Sequence, residues 1–178
     1  NGSGTSIGTG FIYVAPLNDE KDRSIVLLIS NKHVYGDPTD RLQILMNKKT
    51  DSNEPDYGNI QIFDQPNFSD AYFSHPDNSV DLACVNVTEF SHANVFFRNL
   101  TSTFLDPYDE TKVAPGSSVI FVGYPENRYD VVNNLPLIRK GSIASLPSID
   151  FNGKPQVIID AQVFQGSSGS PVFVSANN

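Results

Sequence analysis

The chain has 178 residues, of which 39% are apolar, and 12 basic against 20 acidic side chains give a net charge of −8 at pH 7. An apolar fraction of this size is enough for a packed core, which excludes a globally disordered chain. The negative balance disfavours a nucleic-acid-binding protein and a polybasic membrane-surface protein, because both classes need clustered Lys and Arg.

Cys84, the single cysteine, bears on the compartment of the protein. One cysteine excludes an intramolecular disulfide and suits a reducing cytosol. We expect a cytoplasmic protein, and the alternative is a secreted or periplasmic mature form. No apolar run approaches the roughly 18 residues of a membrane-spanning helix, and no signal-peptide pattern opens the chain. We therefore expect no membrane insertion.

Short apolar runs separated by Gly, Pro, Asn or Asp follow one another along the chain, which is typical of many-stranded sandwiches and barrels. No run shows a sustained period of 3.6 residues, so long helices are not expected. The sequence therefore predicts an all-β fold. The predicted strands, in chain order, are 7–14, 24–29, 42–46, 59–63, 82–87, 118–122, 137–144, 156–159 and 171–174.

Two stretches lack such runs. The polar stretch 50–57 (TDSNEPDY) is expected to be an exposed loop. The irregular region at about 101–116 is the predicted linker between two halves of the chain, which we divide into residues 1–105 and 106–178.

The hexapeptide 166–171 (GSSGSP) carries the strongest chemical signal. A nucleophilic serine needs an exposed hydroxyl beside backbone N–H groups that can receive an oxyanion, and flanking glycines permit both. Ser168 is the candidate nucleophile. A plain Ser/Gly turn between two strands is an equal alternative on this hexapeptide alone, whereas an α/β-hydrolase elbow is disfavoured because no helix follows.

A serine nucleophile needs a base, and the chain offers three histidines. His33 directly follows an apolar strand, whereas His75 and His92 lie in polar, loop-like surroundings. Any one of them, taken singly, is more often structural or solvated than catalytic. Asp81, at the start of another apolar strand, is the candidate carboxylate that orients the imidazole, and we expect it to be buried there.

The order His33, Asp81, Ser168 resembles that of the chymotrypsin-like serine peptidases. Further segments resemble the disulfide-free bacterial-type branches of that family, including the high-temperature-requirement proteases and the glutamyl endopeptidases. These segments are 8–12 (GTGFI), 30–34 (SNKHV), 122–125 (VGYP), 139–144 (RKGSIA) and 160–161 (DA) ahead of 166–171.

The resemblance implies two packed antiparallel Greek-key β-barrels and a peptide-cleaving activity on protein or peptide substrates. The first barrel would carry His33 and Asp81, and the second would carry Ser168. The backbone N–H groups of Gly166 and Ser168 would form the oxyanion hole. No cofactor or metal is implied.

Three departures from the family pattern qualify this expectation. Ser167 stands where animal digestive relatives carry Asp, so activation by insertion of a new N-terminus is not expected. Gln162 would lie at the base of the primary specificity pocket, which disfavours cleavage after Lys or Arg; a simple strand-end polar residue is the equal alternative. Few residues follow Ser170, so the second barrel is expected to lack its last strands.

Because the second half is short, the sequence does not decide whether a partner completes it. We expect the chain to be a fragment, and the alternative is that another chain or a regulatory domain supplies the missing strands. The leading function is a serine endopeptidase. The alternatives are a protease-like binding or scaffold domain, and a partner-gated protease module of a larger protein.

Overall fold

The computed structural model describes residues 7–17, 23–104, 113–126 and 128–175. Within them the fold is all-β, as predicted, and helical structure is confined to one α-helical turn and three short 3-10 turns. The proposed boundary between residues 105 and 106 lies outside the described residues. No helix among those described is long and apolar enough to cross a membrane.

The first half contains seven strands and one short helix among its described residues. Five strands form one sheet in the order β5-β6-β2-β1-β7, and β3 and β4 form a separate hairpin. The elements are β1 (Phe11–Pro16), β2 (Ser24–Ser30), α1 (Lys32–Tyr35), β3 (Leu42–Lys49), β4 (Pro55–Gln65), β5 (Tyr72–Ser74), β6 (Ala83–Asn86) and β7 (Asn99–Leu100).

The second half contains four strands among its described residues, in the order β10-β9-β8-β11. All three neighbouring pairs are antiparallel. The strands are β8 (Ser118–Gly123), β9 (Leu137–Ile143), β10 (Ile159–Ala161) and β11 (Val172–Val174).

The structure corrects several details of the prediction. Strands β5 and β7 were not predicted, and β4 begins at Pro55, inside the stretch expected to be a loop. The run predicted at 156–159 forms a strand only from Ile159 onward. The pair β1–β7 is parallel, over two residues of each strand; a crossover rather than a hairpin connects them, so their direction is not fixed by a tight turn.

A cluster of nine buried apolar side chains among the described residues lies in the first half. Buried side chains from β1, β2, α1, β6 and the following turns form one cluster: Ile12, Val26, Tyr35, Phe68, Ala83, Val85, Val87, Phe90 and Val95. Phe90 is almost fully buried and its ring centroid lies 4.1 Å from that of Phe63. Burial of a side chain of this size contributes about 2–3 kcal/mol, so this cluster provides a rigid base for the loops at its edge.

Polar contacts join the two halves. The Asn47 side-chain amide, on β3, donates to the carbonyls of Asn133 and Asn134 at 2.9 and 3.3 Å. Thr9, just before β1, makes a second set of contacts with the loop that carries Ser168. These bridges position the loops of the second half against the first.

Candidate active site

His33 lies on α1, the single helical turn that follows β2. The carbonyl of Asn31 accepts the N–H groups of Val34 and Tyr35, which closes the turn. Tyr35 anchors it, because its ring is buried and its hydroxyl donates to the Leu28 carbonyl at 2.7 Å. The turn therefore presents His33 outward from a fixed base, with 59% of the side chain exposed.

Asp81 faces His33 directly. The Nδ1 atom of His33 lies 2.5 Å from Asp81 Oδ2, and the His33 backbone N–H donates to Asp81 Oδ1 at 3.1 Å. Burial alone would raise the pKa of Asp81, but the hydrogen bonds from the His33 ring and backbone outweigh it and hold this pKa below its ordinary value. An ionised carboxylate only accepts hydrogen bonds, so the proton of a neutral His33 ring sits on Nδ1 and Nε2 keeps its lone pair.

The expectation that Asp81 is buried was wrong, since 48% of its side chain is exposed. The loop before β6 is held by hydrogen bonds instead of by burial. The Asn31 side-chain amide donates to the Asp81 carbonyl at 2.6 Å, and Lys32 Nζ donates to the carbonyls of His75 and Asp77 at 3.1 and 3.2 Å. The two residues that directly follow β2 thus hold the loop that leads to Asp81 beside His33.

The other two histidines are not part of this pair. The Nδ1 atom of His75 accepts the Asp77 backbone N–H at 3.1 Å, inside the loop that precedes Asp81. The backbone N–H of His92 caps a 3-10 turn. Neither forms a described contact with Ser168.

The Ser168 loop is a pair of tight turns built on two glycines. Ser167 N–H donates to the Phe164 carbonyl, and Ser170 N–H donates to the Ser167 carbonyl, both at 3.1 Å. Gly166 and Gly169 have φ angles of 84° and 83°, which residues with a Cβ rarely adopt. A side chain at Gly169 would also collide with the Thr9 carbonyl and the Ser30 hydroxyl.

The orientation of two peptide planes follows from these contacts. The Gln165 carbonyl accepts the Glu126 N–H at 2.8 Å, and the Ser167 carbonyl accepts the Ser170 N–H. In a trans peptide the N–H points opposite to the carbonyl, so the N–H groups of Gly166 and Ser168 face away from these partners. Within the described residues neither N–H donates a hydrogen bond.

The Ser168 loop packs against the strand end that leads to His33. The Thr9 N–H donates to the Ser168 carbonyl at 2.9 Å. The Thr9 carbonyl in turn accepts the hydroxyl of Ser30 at 2.6 Å, and Ser30 is the last residue of β2 and is 2% exposed. The loop of the nucleophile candidate therefore packs, through Thr9, against the end of β2, three residues before His33.

The contact that would complete a triad is not formed. Across the described ranges no hydrogen bond joins the Ser168 hydroxyl to His33. In unliganded active sites catalytic hydrogen bonds are often long and tighten only with substrate. The structure brings together the His33–Asp81 pair and sets the backbone of Ser168 beside the same strand end.

Gln162 directly follows the last residue of β10 and is exposed. Its place at the base of a specificity pocket stays a prediction, as does the alternative of a strand-end polar residue. Among the residues that the structure describes, no group of three or more metal-ligating side chains could hold a metal ion.

Sequence reasoning missed two residues that hold the Ser168 loop. One is Thr9, whose hydroxyl donates to the Gly166 carbonyl at 3.0 Å. The other is Arg139 on β9, whose Nη2 donates to the Ser167 hydroxyl at 2.8 Å while its guanidinium stacks over the Phe121 ring. The available signals were a hydroxyl between two glycines, at Thr9, and an arginine in a strand of the second-half sheet, at Arg139.

Comparison with known proteins gives the family of the chain. The model of the trypsin-like peptidase domain matches residues 8–178, nearly the whole chain. The chain belongs to this family. A search of curated proteins found no match. Membership in this family indicates, at the general level, a serine protease domain. Such a domain acts on protein or peptide substrates.

Proposed function

We propose that this trypsin-like peptidase domain is a serine endopeptidase in which Ser168, His33 and Asp81 form the catalytic triad. The observation that carries the proposal is the packing of the Ser168 loop, through Thr9, against the end of the strand that leads to the His33–Asp81 pair. The segments shared with the disulfide-free bacterial-type branches support placing the domain near the high-temperature-requirement proteases and glutamyl endopeptidases.

The proposed reaction proceeds through an acyl-enzyme. Nε2 of His33 removes the hydroxyl proton of Ser168 as Oγ attacks the scissile carbonyl, and the C=O π electrons move onto the carbonyl oxygen. When the tetrahedral intermediate collapses, the imidazolium gives its proton to the leaving amine. Water then repeats both steps on the ester, which releases the acid and restores Ser168. Asp81 keeps the ring in the Nδ1–H tautomer and stabilises its cation.

The oxyanion is proposed to bind the N–H groups of Gly166 and Ser168. Their peptide planes are set by hydrogen bonds on the carbonyls of Gln165 and Ser167, so no reorientation is needed when the negative charge develops. Donors prepared in this way contribute about 3 kcal/mol each to stabilisation of the transition state.

Specificity is proposed to depend on Gln162. A neutral side chain at the pocket base supplies no charge for Lys or Arg, and we propose a preference for uncharged residues. A panel of peptides that differ only at the residue before the cleaved bond measures this directly, and faster cleavage after Lys or Arg would contradict it.

Labelling with a fluorophosphonate, followed by mass spectrometry of the modified peptide, tests the proposed nucleophile. We expect an adduct on Ser168 in the parent chain and none in Ser168→Ala. Ser170→Ala is the matched control, since the Ser170 hydroxyl is buried and has no hydrogen-bond partner within the described ranges, and its labelling should equal that of the parent. An adduct on another serine, or none in the parent while a known serine peptidase labels, would refute the assignment.

A partner-gated module is the second candidate. The half-exposed Val172 and Val174 lie on β11, which forms one edge of the second-half sheet among the described strands. A regulatory domain or chain that adds a strand there would order the neighbouring loop, and labelling would then require that partner. A protease-like binding or scaffold domain would remain unlabelled with or without it.

A further inference from the structure

Thr9 lies between the two halves and is 3% exposed. It comes from the first half, two residues before β1, yet most of its polar atoms bond to the second half. Its hydroxyl donates to the Gly166 carbonyl at 3.0 Å and accepts the Tyr124 N–H at 2.8 Å. The hydroxyl therefore acts both as a donor and as an acceptor, and its two partners are 157 and 115 residues away in the sequence.

The partners of Thr9 surround the proposed oxyanion hole. Tyr124 begins the segment whose Glu126 N–H binds the Gln165 carbonyl, while the Thr9 hydroxyl binds the next carbonyl, that of Gly166. Two consecutive carbonyls are therefore fixed, and with them the peptide planes on both sides of Gly166. Gly166 is held at a φ of 84°, a conformation that glycine leaves easily when it is not restrained.

The backbone of Thr9 holds the other end of the loop. Its N–H donates to the Ser168 carbonyl at 2.9 Å, and its carbonyl accepts the Ser30 hydroxyl at 2.6 Å. The backbone contact with Ser168 does not depend on the side chain, whereas the contact with Gly166 depends entirely on the hydroxyl. Side-chain substitution can therefore release Gly166 while Ser168 stays attached.

We propose that Thr9 is a positioning residue for the oxyanion hole: its hydroxyl holds Gly166 in the conformation that aims the Gly166 N–H at the substrate carbonyl. This inference rests on the proposed function. Thr9 does not touch substrate; it acts through Gly166. The absence of its hydroxyl leaves the Tyr124 N–H and the Gly166 carbonyl without a partner, and the loop then samples orientations in which the Gly166 N–H is misplaced.

Three variants separate positioning from general stability. Thr9→Val keeps the shape and removes the hydroxyl, and Thr9→Ser restores the hydroxyl. Thr88→Val is the matched control, because the Thr88 hydroxyl also accepts one backbone N–H, that of Val26, and donates to one oxygen, Oδ1 of Asn86, far from the loop.

The first measurement is hydrogen exchange of the Ser167 and Ser170 amides, which donate hydrogen bonds within the loop; it is read whether or not the chain is active. We expect about tenfold faster exchange in Thr9→Val, since one net hydrogen bond corresponds to roughly that factor. Thr9→Ser and Thr88→Val should match the parent at these two amides. Unchanged exchange in Thr9→Val would overturn the proposal.

The second measurement is the rate of fluorophosphonate labelling of Ser168, with kcat and KM for a cleaved peptide. We expect Thr9→Val to lower the labelling rate and kcat by about 10- to 100-fold with little change in KM, because a small misplacement of catalytic groups costs up to about 100-fold. Thr9→Ser should recover to within about threefold of the parent, and modification of His33 by diethyl pyrocarbonate should not change in any variant.

The outcomes are distinguishable. A parent chain that never labels refutes the proposed function, and the exchange measurement then decides alone whether Thr9 holds the loop. Faster exchange with an unchanged labelling rate overturns the positioning role. An equal loss of labelling in Thr88→Val also overturns it, because the effect would then follow stability and not the Gly166 contact.

Discussion

Ser167 and Ser170 flank Ser168 and Gly169, and their side chains differ in hydrogen bonding. The Ser167 hydroxyl accepts a hydrogen bond from Arg139 Nη2 at 2.8 Å and donates to the Phe164 carbonyl at 2.5 Å. Burial lowers the pKa of the Arg139 guanidinium, whose Nε and Nη1 atoms are buried and have no hydrogen-bond partner among the described residues. The Ser170 hydroxyl is also buried and has no partner in the same part of the chain.

These contacts predict different costs for the same substitution. Ser167→Ala removes a hydrogen bond to a charged group and should lower the free energy of unfolding by about 2 kcal/mol. Ser170→Ala loses no hydrogen bond and removes a buried hydroxyl without a partner among the described residues, so it should leave the free energy of unfolding unchanged or raise it by up to about 1 kcal/mol. Urea denaturation of both variants measures the difference, and equal losses would contradict this account of the loop.

Asp81 gives a pH prediction. Because its pKa is lower in the folded chain than the ordinary value of about 3.9, its contribution to stability is full above that pH and is lost as the pH falls through the folded pKa. The stability difference between the parent and Asp81→Asn should therefore be constant at neutral pH and shrink below about pH 4. Unfolding curves at several pH values test this, and a difference that grows in acid would have the wrong sign.

At the scale of elements, α1 depends on one buried side chain. The Tyr35 ring packs near those of Phe68 and Tyr72, with centroids 5.9 and 5.8 Å away, and desolvation raises the pKa of its hydroxyl. A raised folded pKa means that the stability from this group is complete below about pH 10 and is lost as the pH rises further.

Tyr35→Phe removes the hydroxyl and keeps the ring. We expect it to cost about 1 kcal/mol of unfolding free energy at pH 7, for the hydrogen bond to Leu28, and to reduce the loss of stability above pH 10. Tyr57→Phe, at an exposed position of β4, is the control and should change neither. Identical alkaline curves for the parent and Tyr35→Phe would show that Tyr35 does not limit stability there.

The elements also show what the sequence could predict. Runs rich in Val, Ile and Leu, such as β2 and β8, were predicted to within one residue, because their burial follows from local composition. Strands β5 and β7 span only three and two residues and exist through pairing with β6 and β1. Pro55 and Asp56, on β4, pair with Lys49 and Lys48 beyond a register shift. These four residues are polar or proline, so no apolar pattern predicts this part of the strand.

The candidate site likewise has residues that the sequence could indicate and contacts that it could not. The motifs made Ser168 and His33 candidates, because their residue types and order, together with the flanking segments, resemble those of one family. The hydrogen bond from Thr9 to Gly166 joins residues 157 positions apart. Hydrogen bonds from Asn31 and Lys32 hold the loop that leads to Asp81, more than 40 positions away. Such contacts depend on the folded chain and leave no local signature in the sequence.

On the scale of the whole molecule, apolar burial is uneven. The cluster of buried side chains lies in the first half. In the second half Val119, Phe121 and Ile143 are buried. Val172, on β11, pairs with Phe121, on β8, yet 49% of Val172 is exposed. Cross-strand partners share a face, so the apolar face of this sheet continues into solvent at an edge strand.

An exposed apolar edge strand favours association between chains. We expect weak, concentration-dependent association of the parent in sedimentation velocity, and about tenfold weaker association in Val172→Lys, because a lysine at an edge opposes strand pairing. Ile138→Lys, on β9 inside the sheet and also exposed, is the control. Equal effects of both variants would indicate general apolarity and not the β11 edge.

In the proposed mechanism Ser168, His33 and Asp81 act as one unit. The decisive test is the labelling rate of Ser168 in the parent, in each single variant of His33 and Asp81, and in the double variant. We expect His33→Ala to lower the rate by about 10³-fold or more, and the double variant His33→Ala/Asp81→Asn to be no slower, because Asp81 acts only through the His33 ring. Losses that multiply in the double variant, or a rate that survives His33→Ala, would contradict the account.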